Sequence, residues 1–256
     1  PAQPATTRTL ERHDLDVVFQ PIVDLRTRGL FAHESLVRCK LAHFKNPLVL
    51  FETAVKERTC GRIGRLIREV AFERGAGVPL FVNIHPEELA SRWLVRPDDP
   101  LNYHDSDVFL EITESTAFEY FELCKSVLKE VCARSSAYLV VDDLGAGHSN
   151  LKRVLDLEPA VVKLDRELVS GIEKHKRQQL LVRSVVNLCH DLGALVVAEG
   201  IETPAELAAV IDAGADYGQG YLLARPAYPS PAISWPTSRE RRARPRLDDG
   251  VSSFRY

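Results

Sequence analysis

The sequence predicts an α/β fold in which eight strands close one modified TIM-type (β/α)8 barrel, with the first strand antiparallel to the second. Three observations predict it. Short apolar runs rich in β-branched residues recur along the 256 residues, segments with apolar residues at helical spacing lie between them, and the first two runs stand too close for a parallel crossover. One such barrel typically occupies about 250 residues.

The first run, Val17 to Val23, and the second, Leu30 to Glu34, are separated by six residues, Asp24-Leu25-Arg26-Thr27-Arg28-Gly29. A parallel crossover needs about a dozen, so these two form an antiparallel hairpin. The third run is Leu80 to Ile84. Pro86, just beyond it, suits the first turn of a helix, where a missing N–H costs nothing. Val108 to Glu111 is the fourth run, followed by helical spacing from Phe118 to Arg134. Tyr138 to Asp142 and Val161 to Leu164 are the fifth and sixth. A helical period from Leu168 to Leu192 stops at Gly193. Leu195 to Ala198 is the seventh run, Pro204 starts a further helix, and Tyr217 to Leu222 is the eighth. Residues 1–13 are read as an N-terminal extension, 14–230 as the barrel domain and 231–256 as an Arg-rich flexible tail. From Ser238 to Arg246 the chain is dominated by Arg with Pro and Glu, a composition that buries no core.

Composition narrows the functional classes. A net charge of -3 supplies no global basic field for duplex nucleic acid, so affinity for a phosphorylated ligand must come from a local site. The five cysteines, Cys39, Cys60, Cys124, Cys132 and Cys189, show no zinc-type spacing, and a reduced cytosolic compartment is the expectation. No apolar run approaches the roughly 20 residues of a membrane-spanning helix, and no signal peptide is read. The absence of any Met points to an initiator, tag or upstream region before Pro1.

Chemistry concentrates where strands end. Glu34, Asn83, Glu111, Asp142-Asp143 and Glu199 close five different runs, and Lys163 lies inside the sixth. In a parallel barrel the C-terminal strand ends form one rim, to which catalytic groups come from several strands. Carboxylates crowded together repel and raise one another's pKa, so the set is tolerable when cations neutralise it. Oxygen donors without thiolate or paired His favour Mg²⁺ or Mn²⁺. Adjacent Asp142 and Asp143 suit a pair of ions, able to hold an attacking water and a phosphoryl oxygen together. Lys163 and Asp165 alternate onto one face, where the ammonium can position the nucleophile or offset phosphate charge. The glycines of Gly145-Ala146-Gly147 and Gly218-Gln219-Gly220 are not nucleotide fingerprints. No Ser, His and acid set supports covalent catalysis.

Phe19-Gln20-Pro21-Ile22-Val23, Glu34-Ser35-Leu36-Val37-Arg38, Val82-Asn83-Ile84, Leu110-Glu111-Ile112-Thr113-Glu114, Asp142 to Gly147, Lys163-Leu164-Asp165, Ala198 to Thr203 and Gln219-Gly220-Tyr221-Leu222 occur in the order of the EAL domain family. The chain resembles that family from about Asp16 to Pro226. The resemblance implies a bacterial, cytoplasmic phosphodiesterase that opens cyclic di-GMP to linear pGpG. It implies Glu34, Asn83, Glu111 and Asp142 as ligands of a first divalent ion, with Asp142 and Asp143 serving a second. Lys163 and Glu199 would stand near the nucleophilic water, Glu199 as general-base candidate. Arg38 would grip a phosphate, Gln20, Gln219 and Asp165 would help hold the dinucleotide, and Glu114 and Glu202 would steady loops. It further implies a homodimer through the loop after Asp143 and the helix following Lys163, and an upstream sensor domain or signalling partner. A weak or inactive cyclic di-GMP receptor acting through a protein partner is the alternative. Departures are Ser35 for the family's Ala, Cys39 for an aromatic, His85 for Ser, a shorter stretch between Arg38 and Pro47, and Leu144, Ala146 and His148 in the loop after the aspartates.

Overall fold

The computed structural model describes residues 5–113, 121–135, 137–145 and 156–236. Glu114, the first residues of the expected helix at 118–120, Ala146 and His148 of the expected loop, and residues 237–256 of the tail lie outside them. Eight strands close a barrel in chain order: β1 Leu15–Asp24, β2 Leu30–Cys39, β3 Leu80–Asn83, β4 Val108–Thr113, β5 Ala137–Leu144, β6 Val161–Leu164, β7 Leu195–Ala198 and β8 Tyr217–Gly218. β1 is antiparallel to both neighbours and every other pair is parallel. The short Asp24–Gly29 connection forces that exception. Asp24 Oδ1 accepts the N–H groups of Arg26 and Thr27, building the turn from its own side chain.

Helices cover the outside: α1 Pro47–Glu57, α2 Cys60–Arg74, α3 Pro86–Ala90, α4 Phe121–Arg134, α5 Arg166–Val169, α6 Lys176–Asp191 and α7 Pro204–Ala213. Local chemistry starts several of them. Asn46 accepts Leu48 N–H ahead of Pro47, and Thr203 and Glu206 form a reciprocal capping box ahead of α7. Outward-facing strand residues such as Val17, Val82, Leu110, Val162 and Val196 join the helices' apolar faces in the larger core.

Inside the barrel, alternation separates two layers. A floor of Ile22, Ala32, Phe81, Phe109, Val140, Val161 and Val197, with Tyr217 against it, forms a second apolar cluster. Two residues along each of these strands, on the same face, stand Gln20, Glu34, Asn83, Glu111, Asp142, Lys163, Glu199 and Gln219. Phe81 and Phe109 stack with centroids 4.3 Å apart, and Phe31 stacks on Tyr217 at 3.9 Å. This dry floor lets the polar layer open in one direction only.

Four differences from the sequence reading have physical causes. β2 runs on to Cys39 because β1 pairs with it from Leu15↔Cys39 to Val23↔Leu30. β8 stops at Gly218, not Leu222, because the chain turns sharply: a Cβ on Gly220 would lie 2.1 Å from the backbone oxygen of Ile201. The β1 edge left open is met instead by Ala227, which exchanges both backbone hydrogen bonds with Phe19, at 2.8 and 3.0 Å. The expected Leu168–Leu192 helix is broken between α5 and α6 at Gly171, φ 66°, whose N–H donates to the Glu206 carboxylate at 2.9 Å. Finally, packing extends beyond residues 14–230 at both ends: Leu10 is fully buried in the main core, and Ile233 and Trp235 pack against it.

Gly220→Ala is expected to cost about 1–3 kcal/mol, since backbone rather than a flexible side chain blocks the new methyl. Gly29→Ala, where the nearest neighbour is the Thr27 hydroxyl at 3.4 Å, is expected to stay within about 0.5 kcal/mol. Urea denaturation of both variants checks the contrast.

Candidate active site

The polar layer converges on Lys163. Its side chain is 1% exposed, and its ammonium lies 2.6 Å from Glu111 Oε1, 2.7 Å from Glu199 Oε1, 3.3 Å from Asp142 Oδ1 and 3.8 Å from Glu34 Oε2. β6 places it there because Val161, two residues earlier, is part of the floor. Asn83, at the exposed end of β3, points Nδ2 between Glu111 Oε2 at 3.1 Å and Glu34 Oε1 at 3.4 Å. Gln219 Nε2 donates to Glu34 Oε2 at 2.6 Å and to Gln20 Oε1 at 3.1 Å. Gln20 in turn donates to the Ala224 carbonyl at 3.0 Å. Asp142 Oδ1 accepts the Asp143 N–H at 2.9 Å, and Asp143 adopts a left-handed backbone, φ 59°. That conformation lets two consecutive aspartates serve one site.

Five carboxylates facing one ammonium leave the layer short of positive charge. Burial pulls the Lys163 ammonium down, but Glu111, Glu199, Glu34 and Asp142 together outweigh it and hold the pKa well above the ordinary lysine value. Burial, helped by Glu34 and Asp142 against the pull of Lys163, drives Glu111 well above the usual carboxylate range. Burial, then Asp142 and Asp165, raise Asp143 to about 6. Burial, with Asp142 and Glu34 outweighing Lys163, raises Glu199 to about 8. A group whose oxygens resist ionisation for want of positive charge fits cations. Asp142, Asp143 and Glu199 each offer an oxygen within 4.8 Å of the others. The donors are all oxygen, which suits hard divalent ions.

Three further expected residues find their partners outside the Lys163 cluster. Arg38 lies four positions along β2 from Glu34, so it shares that face, but it stands exposed and donates to the neighbouring Val37 carbonyl at 2.8 Å. Asp165 caps α5 by accepting Glu167 N–H at 2.7 Å. Glu202 pairs with Arg166 at 3.0 Å in solvent. The loop after β7 is steadied by Glu206, which lies outside the quoted motifs: its carboxylate accepts Glu202, Thr203 and Gly171 N–H groups. The Thr203-x-x-Glu206 spacing was its available signal. Next to the cluster a cavity of 190 Å³ is lined by Gln20, Glu34, Arg166, Glu199, Gln219 and Tyr221 among others. Arg166 carries no sequence signal of that proximity, and Tyr221 carries only its place in the motif Gln219 to Leu222. Among the described residues, buried Gln219 Oε1 has no hydrogen-bond partner.

Residues 4–226 match the sequence model of the EAL domain family. The cyclic di-GMP phosphodiesterase RocR of Pseudomonas aeruginosa is 30% identical over 240 residues, covering 88% of this chain and 61% of RocR. The cyclic di-GMP phosphodiesterase PdeR of Escherichia coli is also 30% identical, over 89% of this chain and 36% of PdeR. This chain therefore spans less than two thirds of either relative. Among solved structures, Klebsiella pneumoniae BlrP1 in a calcium/cyclic di-GMP complex superposes with a TM-score of 0.73 at 28% identity, over 88% of this chain and 58% of that one. An EAL domain protein from Listeria monocytogenes gives 0.74 at 27% identity, over 84% and 90%. No helix among the described residues is long and apolar enough to cross a membrane.

Because Asp143 must lose its proton before its oxygens can bind a cation, Mn²⁺ affinity is expected to rise as pH is raised through about 6. Proton release per ion should fall towards zero above that pH. Calorimetric titrations in buffers of different ionisation enthalpy measure both; a pH-independent affinity would contradict the assignment.

Proposed function

This chain belongs to the EAL domain family, and from that membership we propose that it hydrolyses cyclic di-GMP to linear pGpG with two divalent cations, Mg²⁺ or Mn²⁺. The observation that carries the proposal is the complete set of acids around buried Lys163. Its relatives named cyclic di-GMP phosphodiesterases, and BlrP1 bound to that dinucleotide, support the substrate.

Glu34, Asn83, Glu111 and Asp142 would hold one ion, and Asp142 with Asp143 a second. Turning the Asn83 amide about its Cβ–Cγ bond would offer Oδ1 where Nδ2 now faces the two glutamates. Bound ions would acidify a water and take up charge on the phosphoryl oxygens. Lys163 would orient that water between Glu199 and Asp142 while balancing their charge. Glu199, with a pKa near the working pH, would accept its proton. The water oxygen bonds to phosphorus, one P–O3′ bond breaks, and the departing 3′-oxygen takes up a proton. The product keeps the phosphate on its 5′ end, which is pGpG. The unpaired Gln219 Oε1, with Gln20, supplies polar contacts to the dinucleotide, while Arg38 and Asp165 hold its periphery and Glu202 steadies the rim. The role proposed for Glu114 falls outside the described residues.

The reading extends to a homodimer. Its expected loop includes residues outside the described set, but Leu180 and Leu181 on α6 are 62% and 51% exposed, apolar surface that a second copy would cover. Light scattering is expected to give twice the chain mass at micromolar concentration, and a monomeric mass counts against it.

Purified protein with Mn²⁺ and cyclic di-GMP is expected to yield pGpG on chromatography. Glu199→Gln and Lys163→Met should each lower kcat by about 10²- to 10⁴-fold, and Glu34→Ala should abolish turnover. Binding of cyclic di-GMP without pGpG formation at saturating Mn²⁺ would replace this reading with that of a receptor.

A further inference from the structure

Beneath the β3–α3 loop lies an ion network that the chemistry above does not use. Arg68 of α2 donates to Glu88 Oε2 of α3 at 2.6 Å, and to Asp99 Oδ1 and Oδ2 at 3.1 and 2.7 Å. All three residues are 1% exposed. Three dry polar side chains contribute little as packing, because apolar residues of similar volume often stabilise a core as well or better. The chain nonetheless makes room for them. Gly61 and Gly64, one turn apart on α2, leave space where a Cβ would lie 1.9 Å from the Trp93 ring and 2.1 Å from the Glu88 carboxylate. Glycine inside a helix costs about 1 kcal/mol relative to alanine.

What the network touches explains the expense. The second oxygen of Glu88 accepts the His85 N–H at 3.2 Å, and the His85 ring stacks on Phe51 of α1 with centroids 5.7 Å apart. One residue earlier, Ile84 N–H donates to the Glu111 carbonyl at 2.9 Å. One residue earlier again is Asn83, whose amide lies between Glu34 and Glu111. Asn83 is the exposed end of a four-residue strand, so little packing aims its side chain. Three successive residues are thus held by the site, by the neighbouring strand and by Glu88.

We propose that Arg68, Glu88 and Asp99 form a positioning network that sets the orientation of Asn83 towards the cation site through the His85 N–H. None of the three touches the reacting atoms. The inference rests on the reading of Asn83 as a metal ligand, and its test separates the two. Glu88→Gln keeps the shape and the Arg68 contact but weakens the charge-assisted bond to His85. Mn²⁺ binding, followed by electron paramagnetic resonance, is expected to weaken about tenfold in Glu88→Gln and by less than twofold when the same change is made on an Asn83→Ala background. In the metal-free protein, the Asn83 side-chain amide signals of a ¹⁵N spectrum should shift or broaden in Glu88→Gln, whatever the metal does.

Full Mn²⁺ affinity in folded Glu88→Gln, with weakened binding in Asn83→Ala, would overturn the positioning role and leave Asn83 as a ligand. Unchanged binding in Asn83→Ala would overturn the ligand reading itself. If Glu88→Gln does not fold, the volume-matched Arg68→Met/Glu88→Leu/Asp99→Asn protein is tested instead and is expected to fold and show the same tenfold loss. Failure of both to fold would make the network a determinant of the fold and overturn the proposal.

Discussion

The constraint on which everything else depends is the two-residue period of a strand. Each of the eight strands supplies an apolar residue to the barrel floor, and the residue two positions nearer the open end must then point into the same interior. Val161 commits Lys163 to the centre, Phe109 commits Glu111, and Val197 commits Glu199. A one-residue slip would turn an acid outward into the apolar helix layer and a valine inward into the polar one. Burial of the floor therefore holds the polar layer in register, which is how a hydrophobic term of many small contacts fixes a few charged atoms to within hydrogen-bond distance.

That placement creates an electrostatic conflict that the protein alone resolves only in part. Lys163 satisfies several carboxylates at once, yet Glu111, Asp143 and Glu199 keep raised pKa values because burial and mutual repulsion exceed what one ammonium offsets. Stability on its own would favour fewer charges. Sites that break local rules of good packing are where function is expected, and here the unresolved charge has the sign and donor type that divalent cations answer. Oxygen donors, a central cation and a dry floor are thus one arrangement viewed through coordination, charge and solvent access.

Closure of the barrel decides the shape of the open side. β8 contributes only Tyr217 and Gly218 to the ladder, because Gly220 brings the chain against the backbone of Ile201. This turn leaves Gln219 buried against Gln20 and Glu34 and sets Tyr221 at the rim beside the cavity. Glu206 ties the loop after β7 to Gly171, so the loops after β6 and β7 are joined behind Arg166 and Glu202. The rim is consequently built from short, cross-linked turns rather than from the strands themselves.

Much of this was legible in the sequence because it is periodic or local. β-branched runs, the six-residue hairpin connection and the acids closing the runs located the strands, the antiparallel first pair and the residues Glu34, Glu111, Asp142, Glu199 and Lys163 that meet in the site. Periodicity reads one chain segment at a time. It could not show that Gly171 breaks a helical pattern to reach Glu206, that Gly220 ends β8 early, or that Arg38 donates to the neighbouring Val37 carbonyl. Nor could it show that Arg68 binds Glu88 and Asp99 from 20 and 31 residues away. Those outcomes depend on steric approach and on charges brought together by folding, which no local spacing encodes. Which residues face the barrel interior is already written in each segment, since strand alternation is local. Their distances, partners and protonation come only with folding, because these arise from neighbours that the chain supplies from elsewhere.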